Sequence, residues 1–457
     1  MVVEHHLKQR FPSRQRLSLT MGLLVWAMID VSAQPLFQPP YQQIANDRII
    51  NRDPVISSTG LAVWMSWNTN DVTTAETFIT VYYNGERTDL TAELGSTMFG
   101  AVKPQVHSNH LIFVANYNTF DRNAVTWRLR EVPWRDEGGL RELDARFIAT
   151  EDDDGTPVLT PFIDDREIER TEDERPPEDP ENLEARRVPS GKNEIWKWTV
   201  GDIDVQRITQ DNRNDFNPSI WGDIITWQKA RGFPFGWEIM ALIGDKRIQL
   251  TTNFYYDMGP KVHGRQIVWY GWDGYDYEIF LFDADREETI QITDNRFDDI
   301  APVIWNGVIA WEGYASVEAD IYMYKDGQVT RISDNVEDDI NPRIWDRFIT
   351  WQGYDGDDYE IFLYDHVAGG PARKITTTNY DDINPIVYDD LLVWMGFVDN
   401  FDAEIFYVDL SRPPPYDIVR LTENDEDDLD PQTAGRRIIW RTEREGRNMI
   451  MLAEPTR

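Results

Sequence analysis

A proline followed nine residues later by an aromatic residue recurs along this chain. The pairs are Pro104/Phe113, Pro218/Trp227, Pro260/Trp269, Pro302/Trp311, Pro342/Trp351, Pro385/Trp394 and Pro431/Trp440, and Pro54/Trp64 fits with one extra residue. From Pro218 on, successive prolines stand 42, 42, 40, 43 and 46 residues apart. A period of about 40–50 residues with strand-like content marks a β-propeller. The fold class predicted is therefore all-β.

Each unit holds four strand signals. Strand A is read from the proline, as in Pro302-Val-Ile-Trp305, since proline is tolerated at the first residue of a strand. Strand B is apolar on both faces, as in Val308-Ile-Ala-Trp311 and Leu391-Leu-Val-Trp394, which predicts a strand covered on both sides by neighbouring blades. Strand C reads Glu278-Ile-Phe-Leu-Phe282 or Glu360-Ile-Phe-Leu-Tyr364. Strand D is short and ends in a hydroxyl residue nine before the next proline: Thr209, Thr251, Thr293, Ser333, Thr376 and Thr422.

The two ends of the chain complete each other. The last unit has strands A, B and C, then stops after Asn448-Met-Ile-Met-Leu452. Near the start, Gln43-Ile-Ala45 reads as a D strand without a blade of its own. Pairing the two closes the ring and covers an open sheet edge. The count is eight four-stranded blades, with seven or nine as the alternatives. The uncertainty lies in the second unit, where Ala124–Arg130 and Gly139–Leu143 compete with Asn193–Trp196 and Val205–Thr209 for strands C and D. Residues 144–192 read as an acidic, Pro-rich, largely disordered insertion in that unit.

Residues 1–33 have the layout of a secretory signal peptide. Lys8, Arg10, Arg14 and Arg16 precede an apolar stretch, and Val31-Ser32-Ala33 forms a small-x-small cleavage signature before Gln34. The apolar stretch is too short to span a bilayer. The expected product is one propeller over residues 34–457, periplasmic or secreted, without membrane insertion. Zero Cys removes disulfides and thiol chemistry. A formal net charge of −36 argues against nucleic acid as a partner.

The repeat resembles the TolB-like propeller family. The shared pattern runs from Thr293-Asp-Asn-Arg-Phe-Asp-Asp-Ile-Ala-Pro302 through Trp311 to Asp320-Ile-Tyr322, and the likeness covers roughly residues 41–453. It extends to the propeller alone, not to the N-terminal α/β domain that TolB also carries. The resemblance implies a propeller fold and suggests contact with an envelope protein or lipoprotein. Related propellers cap peptidases or form polysaccharide lyases with a His-held metal.

Strand direction alternates, so B–C and D–A loops share one face. D–A loops such as Asp294-Asn-Arg-Phe-Asp-Asp299 and B–C loops such as Asp355-Gly-Asp-Asp-Tyr-Glu360 crowd that face with acid. One reading is structural, with Asp and Asn forming turns. A second is Ca2+ binding, because hard cations take carboxylate oxygens from short loops. The carboxylates nominated are Asp273, Asp276, Glu278, Asp298, Asp299, Asp338, Asp339, Asp355, Asp358, Glu360, Asp381, Asp382, Asp402 and Glu404. If the insertion interrupts strands B and C of the second unit, its acids join them. A third reading is recognition by aromatics beside carboxylates, through Trp237, Trp272, Tyr275, Tyr277, Tyr314, Tyr354, Tyr359, Phe397 and Phe401.

No nucleophile elbow or metal-ligand spacing stands out. His107 and His263 occupy the strand-A position held elsewhere by Trp221, Trp305, Trp345 and Tyr388, which marks them as packing residues. The reading is a monomeric, non-catalytic exported propeller with an acidic, aromatic-bearing binding face. A polysaccharide binder, lyase or glycosidase is the alternative, since paired carboxylates also serve glycoside hydrolysis.

Overall fold

The structure, a computed structural model, describes residues 36–455 except 40, 46–49, 68–76, 91–97, 118–145, 152–156, 163–191, 203–204, 212, 232–235, 334, 399–401 and 445. Residues 1–33, read from sequence as a signal peptide, lie outside the described residues.

Eight four-stranded antiparallel sheets follow one another as the blades of a propeller, each ordered A-B-C-D. Blade 4 is typical, with strands Asp257–His263, Gln266–Trp272, Tyr277–Asp283 and Glu288–Gln291. The second blade takes Asn193–Thr199 as strand C and Gln206–Arg207 as strand D. The insertion therefore leaves strand B at His110–Tyr117 and returns to strand C, so both its ends emerge on the acidic loop face. Within it, Arg146–Glu151 pairs with Pro157–Phe162 as a hairpin.

The N-terminal strand closes the ring. Gln42–Gln43 pairs with the last strand, Arg447–Ala453, through Gln42↔Leu452 and Gln43↔Met451. The Ile44 N–H donates to Ile450 O at 2.9 Å. Phe37 is buried edge-on against Tyr407, and the Tyr41 hydroxyl donates to Leu421 O at 2.8 Å, so the segment straddles blades 7 and 8.

The strand-B signal has the expected cause. Ile267, Val268 and Trp269 are all buried, because one side of the strand packs on the blade before and the other on the blade after. The strand-A reading needs correction. Strand A begins three residues before the proline, as Asp299–Trp305 shows, and the proline sits at a bulge within it. In all eight blades the residue before this proline is left-handed: Asp53, Lys103, Asn217, Gly259, Ala301, Asn341, Asn384 and Asp430. A bulge adds one unpaired residue, and proline has no N–H to lose there. The bulge N–H finds its acceptor on the preceding blade in three cases. Asn341 donates to Glu312 Oε1 at 2.7 Å, Asn384 to Gln352 Oε1 at 2.8 Å, and Gly259 to Gln228 Oε1 at 3.4 Å.

In six blades an indole and a carboxylate lock strand B to strand A. Trp227, Trp269, Trp311, Trp351, Trp394 and Trp440 donate through Nε1 to Asp215, Asp257, Asp299, Asp339, Asp382 and Asp428, at 2.7–3.2 Å. In blade 1, Asn51 stands in for the aspartate and accepts from Trp64 at 3.0 Å. In blades 4–7 the glycine two residues after the tryptophan makes room for this carboxylate. A Cβ on Gly313 would stand 2.8 Å from Asp299 Oδ1, and one on Gly396 2.6 Å from Asp382 Oδ1.

Trp311→Phe removes the indole donor, leaves a buried carboxylate oxygen short of a partner and opens a small void. The expected loss is about 2–4 kcal/mol of unfolding free energy. Urea unfolding followed by tryptophan fluorescence checks it.

Candidate functional site

Seven of the nominated carboxylates are spent on the fold. Asp299, Asp339 and Asp382 take the indole N–H bonds described above. The aspartate before each one ties the D–A loop to strand C of the preceding blade. Asp298 accepts from the Tyr277 N–H at 3.0 Å, Asp338 from the Ala319 N–H at 2.9 Å, and Asp381 from the Tyr359 N–H at 3.1 Å. Glu404 is buried and paired with Arg420 at 2.7 Å, while it also accepts the Asn424 N–H. Asp402 is half-buried at the head of strand C, and burial, then the Glu404 charge, pushes its carboxyl up.

The remaining six fall into two matching loops. Asp273-Gly-Tyr-Asp276-Tyr-Glu278 joins strands B and C of blade 4, and Asp355-Gly-Asp-Asp358-Tyr-Glu360 does so in blade 6. Each opens with an Asx turn. Asp273 Oδ1 accepts from the Tyr275 N–H at 2.8 Å, and Asp355 Oδ1 from the Asp357 N–H at 3.0 Å. In blade 4, one carboxylate oxygen from each of Asp273, Glu278 and Asp294 lies within 4.8 Å of the others. In blade 6 the same holds for Asp355, Asp358 and Glu360. Asp294 was outside the nominated set and joins it from the following D–A loop.

The electrostatics of the two loops differ. In blade 6, Lys374 reaches Asp355 Oδ2 at 2.6 Å and Glu360 Oε1 at 3.2 Å. The Lys374 hydrogen bond, then the Asp357 N–H, pulls the Asp355 carboxyl down to about 2. In blade 4, burial pushes Glu278 up to about 7, with the charges of Asp299 and Asp276 adding to the effect while the nearby Thr293 hydroxyl and the Asn295 N–H oppose it.

Of the nominated aromatics, Tyr275 is exposed, at 85%. Trp237 is half-buried with its edge against Phe216, and Trp272 and Tyr277 lie edge-on to each other at 5.2 Å. Tyr314 donates to Glu312 Oε2 at 3.3 Å, Tyr354 donates to Gly356 O at 3.2 Å, and Tyr359 packs edge-on to Tyr354. The half-buried Phe397 donates its N–H to Asp381 O. Phe401 lies outside the described residues.

The residues sequence reasoning passed over are Phe254, Tyr255 and Tyr256. They form the D–A loop entering blade 4, where the loops entering blades 5–8 carry acids. Phe254 is 71% exposed. The loop abuts the B–C loop of its own blade, where the Trp272 N–H donates to Tyr256 O at 3.0 Å. Val317 and Val336, on the neighbouring loops of blade 5, are 85% and 83% exposed. Among the described residues, six of the nine exposed large hydrophobics thus fall on one loop face within blades 4 and 5. An exposed apolar group of this kind marks a contact surface more than scattered single residues do.

Near the far ends of the A strands, His107, Trp221, His263, Trp305 and Trp345 stack in succession at 3.9–4.2 Å between ring centroids. His263 accepts the Asn306 N–H through Nδ1 at 2.8 Å, and burial, then His107, pulls its pKa down to about 4. These two histidines are packing residues in the fold.

The geometry defines a β-propeller with a polarised loop face. Solved structures share the fold. A dipeptidyl peptidase 4 of Porphyromonas gingivalis matches with TM-score 0.53 and 10% identity, over 91% of this chain and 59% of that chain. The β-propeller domain of the Trilobed protease from Pyrococcus furiosus matches with TM-score 0.46 and 10% identity, over 79% of this chain and 95% of that one. TolB from Acinetobacter baumannii matches with TM-score 0.31 and 11% identity, over 58% and 77%. The chain spans little more than half the length of the peptidase 4 chain. No family model and no curated protein matches the sequence.

The strand-A aspartates predict a pH dependence. Burial pushes Asp215 and Asp382 up to about 7 and Asp257, Asp339 and Asp428 up to about 6. The folded state then holds protons that the unfolded chain releases near pH 4, so their contribution grows as pH falls through 7 to 4 and is lost as pH rises. Asp355, held near 2, loses its own contribution only below pH 4. The melting temperature is expected to be higher at pH 5.5 than at pH 8. Differential scanning calorimetry across that range checks the sign.

Proposed function

We propose that the protein is an exported, non-catalytic β-propeller that binds a cationic segment of an envelope protein or lipoprotein through the loop face of blades 4 and 5. The supporting observation is the group Phe254, Tyr255, Tyr256, Tyr275, Val317 and Val336, exposed on a face that also carries Asp273, Asp294 and Asp298. Aromatic anchors supply contact area, and the surrounding carboxylates select positive charge and speed encounter. The fold likeness to a dipeptidyl peptidase 4 by itself leaves the ligand open. Export follows from the layout of residues 1–33, and a mature N-terminus at Gln34, read by mass spectrometry of the periplasmic or culture fraction, is the expected product. The protein acts as a monomer in this reading. Polysaccharide is the second reading, because exposed aromatic faces beside carboxylates also suit sugar hydroxyls.

The test is a triple variant, Phe254→Ser, Tyr275→Ser and Val317→Ser, all on exposed loops. The parent is expected to retain an envelope protein from extract at low salt and release it at high salt. The variant keeps its circular dichroism spectrum and loses about tenfold or more in affinity. Undiminished retention by the variant removes this face from recognition. Binding on a glycan array without a protein partner replaces the first reading with the second.

A further inference from the structure

Six blades begin strand C with a buried carboxylate: Glu194, Glu238, Glu278, Asp320, Glu360 and Glu404. Five of these meet a cation. Glu194 pairs with Arg207 at 2.7 Å, Glu238 with Arg231 at 2.8 Å, Asp320 with Arg331 at 2.6 Å, Glu360 with Lys374 at 3.2 Å and Glu404 with Arg420 at 2.7 Å. In four of the five, the cation sits on strand D, at the register position opposite the residue two after the acid. In blade 4 that position is Gln291, paired with Phe280. Glu278 meets no cation among the described residues.

Blade 4 also brings further acids to this glutamate. Glu278 is fully buried, and its Oε1 accepts the Asn295 N–H at 2.7 Å, while its Oε2 meets no donor. Asp273 and Asp294 hold oxygens within 4.8 Å of it. Asp276 is 7% exposed, and its carboxylate makes no hydrogen bond or ion pair among the described residues. Its counterpart in the matching loop of blade 6, Asp358, holds an oxygen within 4.8 Å of those of Asp355 and Glu360. Arg296, the basic residue of the adjoining loop, is exposed and makes no ion pair among the described residues. Buried carboxylates this close repel unless a proton or a cation intervenes.

Blade 6 supplies the internal comparison. Its Asp-Gly-x-Asp-Tyr-Glu loop is the same, and there the Lys374 ammonium bridges Asp355 and Glu360, the counterparts of Asp273 and Glu278. We propose that Asp273, Asp276, Glu278 and Asp294 form a divalent-cation site with the chemistry of Ca2+, the ion taking the place that Lys374 takes in blade 6. An all-oxygen set drawn from two short loops suits Ca2+, which accepts irregular geometry and completes its shell with water. Mg2+ demands a near-ideal octahedron and fits such a set poorly.

The site stands apart from the partner reading, because its test contains no partner. The full chain, stripped with EDTA and desalted, is titrated with CaCl2 by calorimetry and its melting followed in parallel. The parent is expected to bind one equivalent and to melt higher with Ca2+. Gln291→Lys, at an exposed position, places an ammonium in blade 4 and is expected to abolish binding while melting above the Ca2+-free parent. Lys374→Gln removes the ammonium from blade 6 and is expected to add a second equivalent. No heat and no melting shift in the parent overturns the proposal. Undiminished binding by a folded Gln291→Lys protein also overturns it, since the ion would then sit elsewhere.

Discussion

The buried hydrogen bond between the strand-B indole and the strand-A carboxylate organises this propeller. It recurs in six blades at 2.7–3.2 Å, always twelve residues apart. The indole is large enough to fill the space between blades and carries a single donor, so one acceptor at the right depth satisfies it. The same aspartate then accepts a second donor from the loop that precedes it. Asn253, Asn295 and Asn424 each bond the strand-A aspartate four residues later at 2.6–2.8 Å. One carboxylate thereby fixes the strand pair and the D–A loop together. The shape of the loop face follows from the core of each blade.

That coupling explains why so much acid is compatible with a stable fold. The strand-A aspartates reside where burial disfavours their charge, and indole, amide and hydroxyl donors offset part of the cost. The aspartates just before them hold backbone N–H groups at the head of strand C. Half of the nominated carboxylates are therefore held by the fold, and the net charge of the chain says little about which of them meet a ligand.

The propeller, its eight blades and the closing strand were legible because they rest on period and on side-chain alternation, both of which a sequence displays directly. The start of strand A was misread for a local reason: a proline in mid-strand requires a bulge, and the left-handed residue before it is Asn or Asp in five blades and Gly in one. The site was only partly legible. The two Asp-Gly-x-Asp-Tyr-Glu loops are visible as motifs, but the cation that balances one of them is not. Lys374 follows Glu360 by fourteen residues and Arg420 follows Glu404 by sixteen, since C–D turns vary in length. Cross-strand register, not sequence offset, brings them together. Phe254, Tyr255 and Tyr256 escaped notice because the D–A loops were read as an acidic class, while the informative feature was the one loop that departs from it.

In a repeat protein, departure from the repeat is the physical signal that something other than folding is acting on a position. A residue that every blade shares is accounted for by what every blade needs. Blade 4 departs twice on the same face. It exchanges acids for aromatics in its D–A loop, and it keeps a buried strand-C glutamate without the cation its sister blades provide. The two departures adjoin, because Tyr275 rises from the loop whose Asp273 lies beside Glu278. Neutralising that carboxylate cluster would stiffen the loop that presents the most exposed aromatic ring of the face, and stiffening a contact residue before binding lowers the entropy lost on association. A charge imbalance in the core of one blade and an aromatic surface at its rim are thus two ends of a single loop.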